Sequence, residues 1–411
     1  MINRLWVLVI TLLLLSGGNV WATVSGQCSN CHTMHNSQDG ALDTTIDTVP
    51  ITISTLNRAL TKGDCIGCHT GTISASVTNG IPYIMSTTLA EYGPDYGATS
   101  GDLINVTASN TLAGGTFNYV GATDNTGHNV KGMTGVGEDG VLGTTPPGWI
   151  ASTFSNTASN AVGDLTLNQL TCAGTMGCHG DHGDADDFAD IKGAHHGDDS
   201  TIDGSTVAKS FRFLRGIKGV EDDDWELTVG VGDHNIYYGE ARTDLSLTGI
   251  NKNTISYLCA QCHGLFHTDD GEVGTGTSQR GIIYSSTTFA DANPWLRHPS
   301  DFSLSQTASD SEYRSYTGSD DTVAHYNVMA PLASSAPNGS VIETVATAYS
   351  DTAIINGRDD IVTCISCHRA HGSEYADLLR WDYANMQAGS GGDATNNFAN
   401  KGCFACHTSK D

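Results

Sequence analysis

The most apolar stretch of the chain lies at its N-terminus. Residues 5–15 are apolar with a single exception, Arg4 places a positive charge before them, and Ala22 ends a short segment that suits signal-peptidase cleavage. This pattern predicts a secretory signal peptide over residues 1–22. The alternative is a membrane anchor, but the run is well short of the roughly 20 residues that span a bilayer. No other stretch is apolar enough, so we expect the mature chain, residues 23–411, to be secreted without a membrane span.

The hydrophobic pattern beyond this segment is weak and short-ranged. Residues 115–120 and 210–214 alternate between apolar and polar positions enough to predict two short strands. Long spacers rich in Gly, Ser, Thr and Asp separate three cysteine-containing regions, residues 28–69, 172–263 and 364–407. Because such spacers are too polar to form cores of their own, we predict an irregular fold, mostly coil with short helices and few short strands, in one continuous domain.

The composition indicates that ordinary side chains alone do not build the interior. Aromatic residues make up only 7% of the chain, whereas glycine occurs 48 times. A chain so poor in large apolar groups buries too little area to offset its conformational entropy, so another component has to supply the core. The formal charge of -26, from 45 acidic and 19 basic residues, disfavours nucleic acid as a partner because phosphate binding requires Lys and Arg.

Twelve cysteines carry the most specific pattern in the sequence. Ten of them form five Cys-x-x-Cys-His units, which are Cys28-Cys31-His32, Cys65-Cys68-His69, Cys259-Cys262-His263, Cys364-Cys367-His368 and Cys403-Cys406-His407. The pattern predicts covalent haem c, because two thiols can add to the two vinyl groups while the adjoining His takes one axial position on the iron. A disulfide scaffold or paired zinc sites would not require a His after every second cysteine.

The last two cysteines form an enlarged version of this unit. Cys172 and Cys178 are separated by five residues, His179 follows directly, and His182 comes three residues later. A small disulfide loop beside a chance His is the alternative. The position of His179 and the two glycines in the insert, which permit a longer loop without strain, favour a sixth haem. The sequence therefore predicts six covalently bound haems, whose planar rings would fill the missing core.

Ten histidines remain besides the six that follow the cysteines. They are enough to give each iron a second imidazole, so bis-histidine ligation, which suits fast electron transfer, is predicted. The stronger candidates are His35, His128, His182, His267, His298, His325 and His371, and the weaker ones are His195, His196 and His234. In a Cys-His-x-x-His unit the second His stays on the proximal side of its own ring. We therefore expect His35, His182 and His371 to bind the iron of a neighbouring haem.

Two acidic clusters, residues 181–190 and 221–224, interrupt the polar spacers. Neither has the ligand spacing of a calcium-binding loop. We therefore expect both clusters to be solvated acidic faces.

Several segments resemble the OmcS-type extracellular hexahaem cytochromes, a family that polymerises into conductive filaments. The matching motifs are Cys28-Ser-Asn-Cys31-His32-Thr-Met-His35-Asn36-Ser37, Gly127-His128-Asn129-Val130, Cys178-His179 with His182-Gly183, Cys262-His263 with His267, Arg297-His298-Pro299, Cys364-Ile-Ser-Cys367-His368-Arg369-Ala370-His371 and Cys406-His407 with Lys410-Asp411. These motifs span nearly the whole mature chain in order. The enlarged Cys172 to Cys178 unit departs from the family's usual spacing.

The resemblance implies a set of properties that the residues alone do not give. All haems would be bis-histidine and would stack in one continuous line within a polypeptide that is mostly coil. One axial His of each subunit would bind a haem of its neighbour, so the chain would form a homopolymer. His35 matches the position of that crossing ligand.

The leading functional hypothesis is a non-enzymatic extracellular electron carrier. It would pass charge between haems, and between subunits, to other redox proteins or extracellular acceptors. The alternatives are a multihaem reductase of nitrogen or sulfur oxyanions, and a non-polymeric carrier in the periplasm or an outer-membrane conduit. A reductase needs an iron with an open axial site, which is often marked by Lys in place of the motif His, and no Cys-x-x-Cys-Lys occurs in the sequence.

Overall fold

A computed structural model of the chain describes the regions on which the fold rests. The described residues are 27–35, 37–38, 41–42, 45–46, 49–50, 60–61, 64–69, 81–85, 112–120, 125–131, 144–149, 163, 165, 168–191, 202–227, 234–241, 251–267, 298, 300–304, 316, 329–335, 361–388 and 402–407. The predicted signal peptide, residues 1–22, lies outside them and stays a prediction.

Strands in the described residues are only two or three residues long. They are β1 (Ser37–Gln38), β2 (Ala41–Leu42), β3 (Thr45–Ile46), β4 (Val49–Pro50), β5 (Thr171–Ala173), β6 (Gly177–His179), β7 (Gly219–Val220), β8 (Ile236–Tyr237), β9 (Phe302–Ser303) and β10 (Ile361–Val362). Each pairs with one partner in a two-stranded sheet, and the pairs are β1–β2, β3–β4, β7–β8 and β9–β10, all antiparallel, and β5–β6, which is parallel. Two-stranded ribbons this short are not stable alone. Each therefore marks a place where two loops form backbone hydrogen bonds with each other.

Helices in the same regions are also short. The α-helices are α1 (Asp187–Asp190) and α2 (Ile255–Ala260), and α2 begins at Thr254, whose side chain accepts the Tyr257 N–H. The 3₁₀ helices are Cys28–Asn30, Cys65–Gly67, Phe117–Tyr119, Phe211–Phe213, Gly264–His267, Cys364–Ser366, Ala376–Leu378, Tyr383–Asn385 and Gly402–Ala405. The predicted fold class, irregular and mostly coil with short helices and strands, is confirmed.

The two strands predicted from alternation are wrong, because both segments contain 3₁₀ helices. Thr116 accepts the N–H of Asn118 at 3.1 Å and starts the Phe117–Tyr119 turn. Phe117 and Val120, three residues apart, are both buried, as are Phe211 and Leu214 in the second segment. In the first segment a spacing of three fits the 3₁₀ period, and over so few residues it imitates the alternation of a strand. In the second segment, positive φ at Arg212 (+47°) and Phe213 (+60°) takes the backbone out of the strand region.

Within the described regions, buried apolar side chains collect in two small clusters and in a separate contact between Ile236 and Val220, rather than in one core. Cluster A contains Phe211, Leu214, Ile217, Tyr237, Ile255, Ala333, Ile361 and Ile365, and cluster B contains Ile84, Met85, Leu112, Phe117, Val120 and Val130. Cys178 packs against cluster A, while Cys172 and Ile66 pack against cluster B. Each cluster therefore borders the cysteine units instead of forming a separate domain centre.

None of the helices in the described regions has both the length and the apolar character that crossing a membrane requires.

Candidate haem-attachment sites

The five Cys-x-x-Cys-His units fold into the same backbone turn. In each unit the N–H of the His donates to the carbonyl of the first cysteine at 2.8 to 3.2 Å, and the N–H of the second cysteine donates to the same carbonyl at 3.1 to 3.2 Å. The turn places two thiols and one imidazole within a single loop of backbone. That arrangement suits a macrocycle that is tethered at two points and ligated between them.

The enlarged unit reaches a related arrangement by a different route. Its two cysteines lie on the parallel pair β5–β6, where Thr171 is opposite Gly177 and Ala173 is opposite His179. This register sets Cys172 beside Cys178, on strands that in such a pair lie about 4.8 Å apart. Gly174, with φ +83°, begins the short loop that joins the strands. The parallel pair therefore places the two cysteines side by side although five residues separate them in the sequence.

Cysteines of consecutive units lie near one another. Seven thiols have a pKa above the ordinary value, and in five of them a cysteine of the adjacent unit contributes. For Cys65, Cys68 and Cys259 the hydrogen-bonded neighbouring cysteine is the largest cause, whereas for Cys262 and Cys367 burial comes first. The pairs are Cys31–Cys68, Cys65–Cys172, Cys178–Cys262, Cys259–Cys364 and Cys367–Cys403. The six units therefore follow one another in space in the order of the sequence.

Backbone carbonyls orient five imidazoles besides that of His234. The Nδ1 contacts are His69 with Pro82 O at 3.0 Å, His128 with Ala370 O at 2.6 Å, His179 with Arg212 O at 2.9 Å, His263 with Pro147 O at 2.7 Å, and His368 with Asp377 O at 2.6 Å. In each pair the carbonyl accepts, so Nδ1 carries the proton and Nε2 keeps its lone pair. This tautomer is the one that a metal ligand needs.

Burial keeps several of these imidazoles neutral. Desolvation lowers the pKa of His69, His128 and His179, and it lowers the pKa of His263 to about 4. It also lowers the pKa of His371 to about 3, with a further contribution from His179. A metal binds the unprotonated imidazole, so burial prepares these rings for coordination.

Three of the motif histidines face a second histidine at a distance that fits one iron. The ring centroids are 6.4 Å apart for His179–His371, 6.1 Å for His128–His263 and 6.3 Å for His298–His407. Two metal–nitrogen bonds of about 2.0–2.1 Å and two nitrogen-to-centroid distances of about 1.1 Å add up to about 6.3 Å. The residues present therefore fit a bis-histidine haem at the third, fourth and sixth units.

Two of these partner histidines are seated side by side. The N–H of His128 donates to His371 O at 3.0 Å, and the N–H of His371 donates to Gly114 O at 2.7 Å. Gly372 forms bridges with both Gly115 and Gly127. The backbone of residues 369–373 thus positions the partners of both His179 and His263.

The other candidate histidines have varied surroundings. His35 is exposed, whereas His182, His234 and His267 are buried. His182 has φ +62°, and its Nε2 lies 3.4 Å from Cys178 O, while Nδ1 of His234 contacts the carbonyl of Asn235 at 2.9 Å. His195, His196 and His325 lie outside the described residues and stay predictions.

His267 differs from the other buried histidines because it faces a carboxylate. Its Nδ1 is 3.4 Å from Asp301 Oδ2, and its Nε2 is 3.8 Å from Cys364 Sγ. Burial acts to lower the pKa of His267, but Asp301 and Cys364 outweigh it and raise the pKa to about 9. The sequence predicted that His267 is a haem ligand. The structure places it beside Cys364, the first cysteine of the fifth unit.

Two buried arginines secure the fifth unit. Arg380 Nε donates to Ile365 O at 2.7 Å and to His368 O at 3.2 Å, and Arg369 donates to Leu112 O at 2.9 Å. Burial raises the pKa of the nearby Glu226, and Arg380 is the largest opposing influence. Despite this support, His368 is the one exposed motif histidine of the six, all of which the structure describes.

The expectation that both acidic clusters are solvated is wrong for two residues. Asp190 is 0% exposed and Asp222 is 5% exposed. Each accepts backbone N–H groups, including that of His182 for Asp190 and that of Glu226 for Asp222. Hydrogen bonds to backbone donors offset the cost of burying a carboxylate, and sequence composition carries no signal of that.

Comparisons with known proteins agree with the cysteine pattern. The family model for a doubled CXXCH motif matches residues 357–411. The C-type cytochrome OmcS of Geobacter sulfurreducens is 27% identical over 395 residues, which cover 90% of this chain and 83% of that protein. Both similarities support a multihaem c-type cytochrome with covalently bound haem, related to that protein.

Solved structures with detectable similarity come from the same organism. The outer membrane cytochrome S filament of Geobacter sulfurreducens has a TM-score of 0.38 and 19% identity, and the OmcS nanowires have a TM-score of 0.35 and 20% identity. Each comparison covers 89% of this chain and 86% of the other.

Proposed function

We propose that the chain is a six-haem, bis-histidine c-type cytochrome that carries electrons outside the cell and polymerises into a conductive filament. The observation that carries this proposal is the set of three histidine pairs whose ring centroids are 6.1 to 6.4 Å apart, a separation that fits one iron between each pair. Electron tunnelling falls steeply with distance, and cysteines of consecutive units that lie near one another, such as Cys31 and Cys68, favour macrocycles close enough for transfer. The relative named a c-type cytochrome supports the same function.

The cysteines and the histidines of the chain would have separate roles. Twelve cysteines would tether, each thiol adding S–H across one vinyl C=C bond so that no oxidant or leaving group is needed. Bound haem iron would supply the one-electron chemistry. The chain's own groups hold imidazoles at iron-binding separation and fix their tautomers, as the carbonyls of Arg212 and Pro147 do for His179 and His263.

The facing pairs favour specific ligand assignments. We assign His371 to the iron bound by His179, His128 to the iron bound by His263, and His298 to the iron bound by His407. The first assignment links a His of the third region to a haem of the second, so His371 would bind a haem other than its own. The second assignment links His128, from a spacer, to a haem of the second region. His182 and His267 remain candidates for the irons of the other units.

A subunit-crossing ligand is supported by the exposure of His35. Its imidazole could therefore reach a haem iron of a neighbouring copy without leaving a buried position. Filament assembly would then be coupled to metal ligation.

The variant His35→Ala tests this proposal. It should retain six haem additions by intact mass, lose filaments in electron micrographs, and gain one high-spin haem per chain. Ser29→Ala, an exposed position in the same attachment turn, is the matched control and should form normal filaments. Normal filaments from His35→Ala would contradict the crossing ligand.

The alternative to an electron carrier is a reductase with one open axial site. Spectra distinguish the two, because the electron carrier should be entirely low-spin in the filament, whereas a reductase should keep one high-spin haem that binds small ligands. We further propose export by way of the periplasm to the cell exterior, with residues 23–411 as one haem-cored unit. N-terminal sequencing that begins near Thr23 would support the export step.

A further inference from the structure

A single buried carboxylate joins both ends of the enlarged cysteine unit. Asp190 Oδ2 accepts the N–H of Gly174, inside the insert, at 3.1 Å and the N–H of His182, after the unit, at 2.8 Å. Its Oδ1 accepts the N–H of Asp184 at 3.1 Å. Asp190 is 0% exposed, so solvent does not weaken these bonds.

Backbone contacts also hold the insert against its surroundings. Thr175 donates its N–H to Asp184 O at 3.1 Å and accepts the N–H of Gly163 at 2.6 Å. A side chain at Gly174 would meet Asp187 Oδ1 at 2.8 Å, and one at Gly180 would meet Asp190 Oδ2 at 2.5 Å. The backbone is thus folded closely onto the helix α1 that carries Asp190.

Loop entropy explains why such a clamp matters here. A Cys-x-x-Cys turn fixes its two thiols by its own hydrogen bonds, as in the other five units. Five intervening residues have many more conformations, and each ordered residue costs about 1–2 kcal/mol. The enlarged loop has two backbone hydrogen bonds of its own, from Thr171 N–H to Met176 O at 3.1 Å and from Gly177 N–H to Gly174 O at 3.0 Å. Contacts from outside the loop add to these bonds and further favour the conformation in which Cys172 and Cys178 lie side by side.

We infer that Asp190 is the positioning residue that holds the enlarged loop in the form that presents Cys172 and Cys178 to one porphyrin. This inference rests on the proposed sixth haem. The side chains of Asp184 and Asp186 do not take this role, because they accept backbone N–H groups two or three residues further along. An amide at position 190 keeps the size but leaves one acceptor oxygen where two oxygens now accept three backbone N–H groups.

The experiment measures haem additions by intact mass in the unaltered protein and in four variants of the whole chain. They are Asp190→Asn, the exposed control Asp184→Asn, a deletion of residues 173–175, and the deletion combined with Asp190→Asn. The deletion leaves Cys172-Met-Gly-Cys-His, a unit of ordinary spacing that lacks Gly174. Free thiols are counted by alkylation under denaturing conditions, before and after reduction.

The expected result is six haems in every protein except Asp190→Asn, which should carry five, with Cys172 and Cys178 unmodified by haem. The short unit should restore the sixth haem in the combined variant, because it no longer needs the clamp. Six haems in Asp190→Asn would overturn the role of Asp190 and leave the proposed function intact. Five haems in the deletion or the combined variant would also overturn it, since Asp190 and the loop would then act in general folding.

The unaltered protein separates failure of this inference from failure of the proposed function. Five haems and a Cys172–Cys178 disulfide in that protein would overturn both the sixth haem and the role of Asp190. If the unaltered protein carries six haems and a variant gives one of the contrary haem counts, only the proposed role of Asp190 is overturned.

Discussion

The ring of Phe117 stacks on the imidazole of His371, with the centroids 4.7 Å apart and the planes 26° apart. The planes of His371 and His179 are at 50° to each other. The backbone at Gly114 also lies close to the His371 ring, because a Cβ added at Gly114 would be 3.1 Å from Nδ1. Phe117 and Gly114 together fix the rotation of His371 about its side-chain bonds.

Replacing Phe117 by Leu should therefore change the angle between the two imidazoles of the third unit. The stacking contact contributes about 0.5–1.5 kcal/mol beyond burial, and its loss frees the ring to rotate. Electron paramagnetic resonance should show new g values for one of the six proposed low-spin haems, with haem count unchanged. Phe211→Leu, which removes a contact with Tyr237 in cluster A, is the control. Six unchanged signals in Phe117→Leu would contradict the assigned pair.

His128→Met should raise the reduction potential of one haem. A thioether ligand favours ferrous iron relative to imidazole, and we expect a shift on the order of 100 mV. Spectroelectrochemical titration should show one midpoint moving upward and five staying in place. Asn129→Ala, at the adjoining half-buried position, should leave all six midpoints unchanged. A His128→Met protein with unaltered midpoints would mean that His128 does not bind iron.

Asp187 should make stability depend on pH. Burial, Asp64 and Asp190 raise its pKa from 3.8 to about 7. The folded chain therefore keeps the proton to higher pH than the unfolded chain, so the stabilising effect is full below 3.8 and is lost as pH rises through 7. Asp187→Asn should increase the free energy of unfolding at pH 8 by roughly 1–2 kcal/mol, after allowing for solvent screening, and change it little at pH 4.

Denaturant unfolding of Asp187→Asn at several pH values measures this effect. Asp203→Asn is a control of opposite sign, because hydrogen bonds from Ser205 lower the pKa of Asp203. That carboxylate stabilises the folded chain above its ordinary pKa, and the benefit disappears as pH falls. Equal changes in the free energy of unfolding of Asp187→Asn and Asp203→Asn at pH 8 would contradict the raised pKa of Asp187.

Gly402→Ala should destabilise the sixth unit. Gly402 has φ +53°, and an added Cβ would lie 2.8–2.9 Å from ring atoms of the buried Trp381. Left-handed backbone and overpacking together should cost about 2–4 kcal/mol. Thermal unfolding should show a clear loss for this variant, whereas Gly183→Ala at an exposed position without positive φ should change stability by less than about 0.5 kcal/mol. Trp381→Leu in the Gly402→Ala background should recover part of the loss.

Much of the candidate site could be predicted from the sequence, because its residues lie close together along the chain. A Cys-x-x-Cys-His unit needs only a few consecutive residues, so each tether and each proximal His is a property of the sequence itself. The same holds for the coil-rich fold, which follows from the many glycines and few aromatics. The two mistaken strands, near Phe117 and Phe211, show the limit, because a period of two and a period of three cannot be separated over five residues.

The sequence by itself determined the cysteine and histidine inventory, because covalent spacing is read directly along the chain. Only the tertiary structure brought His371 opposite His179, His128 opposite His263 and His298 opposite His407. It also buried Asp190 beneath the enlarged loop. These arrangements depend on hydrogen bonds between segments far apart in the chain, such as that from His128 N–H to His371 O, and no local pattern encodes which distant backbone a residue will meet.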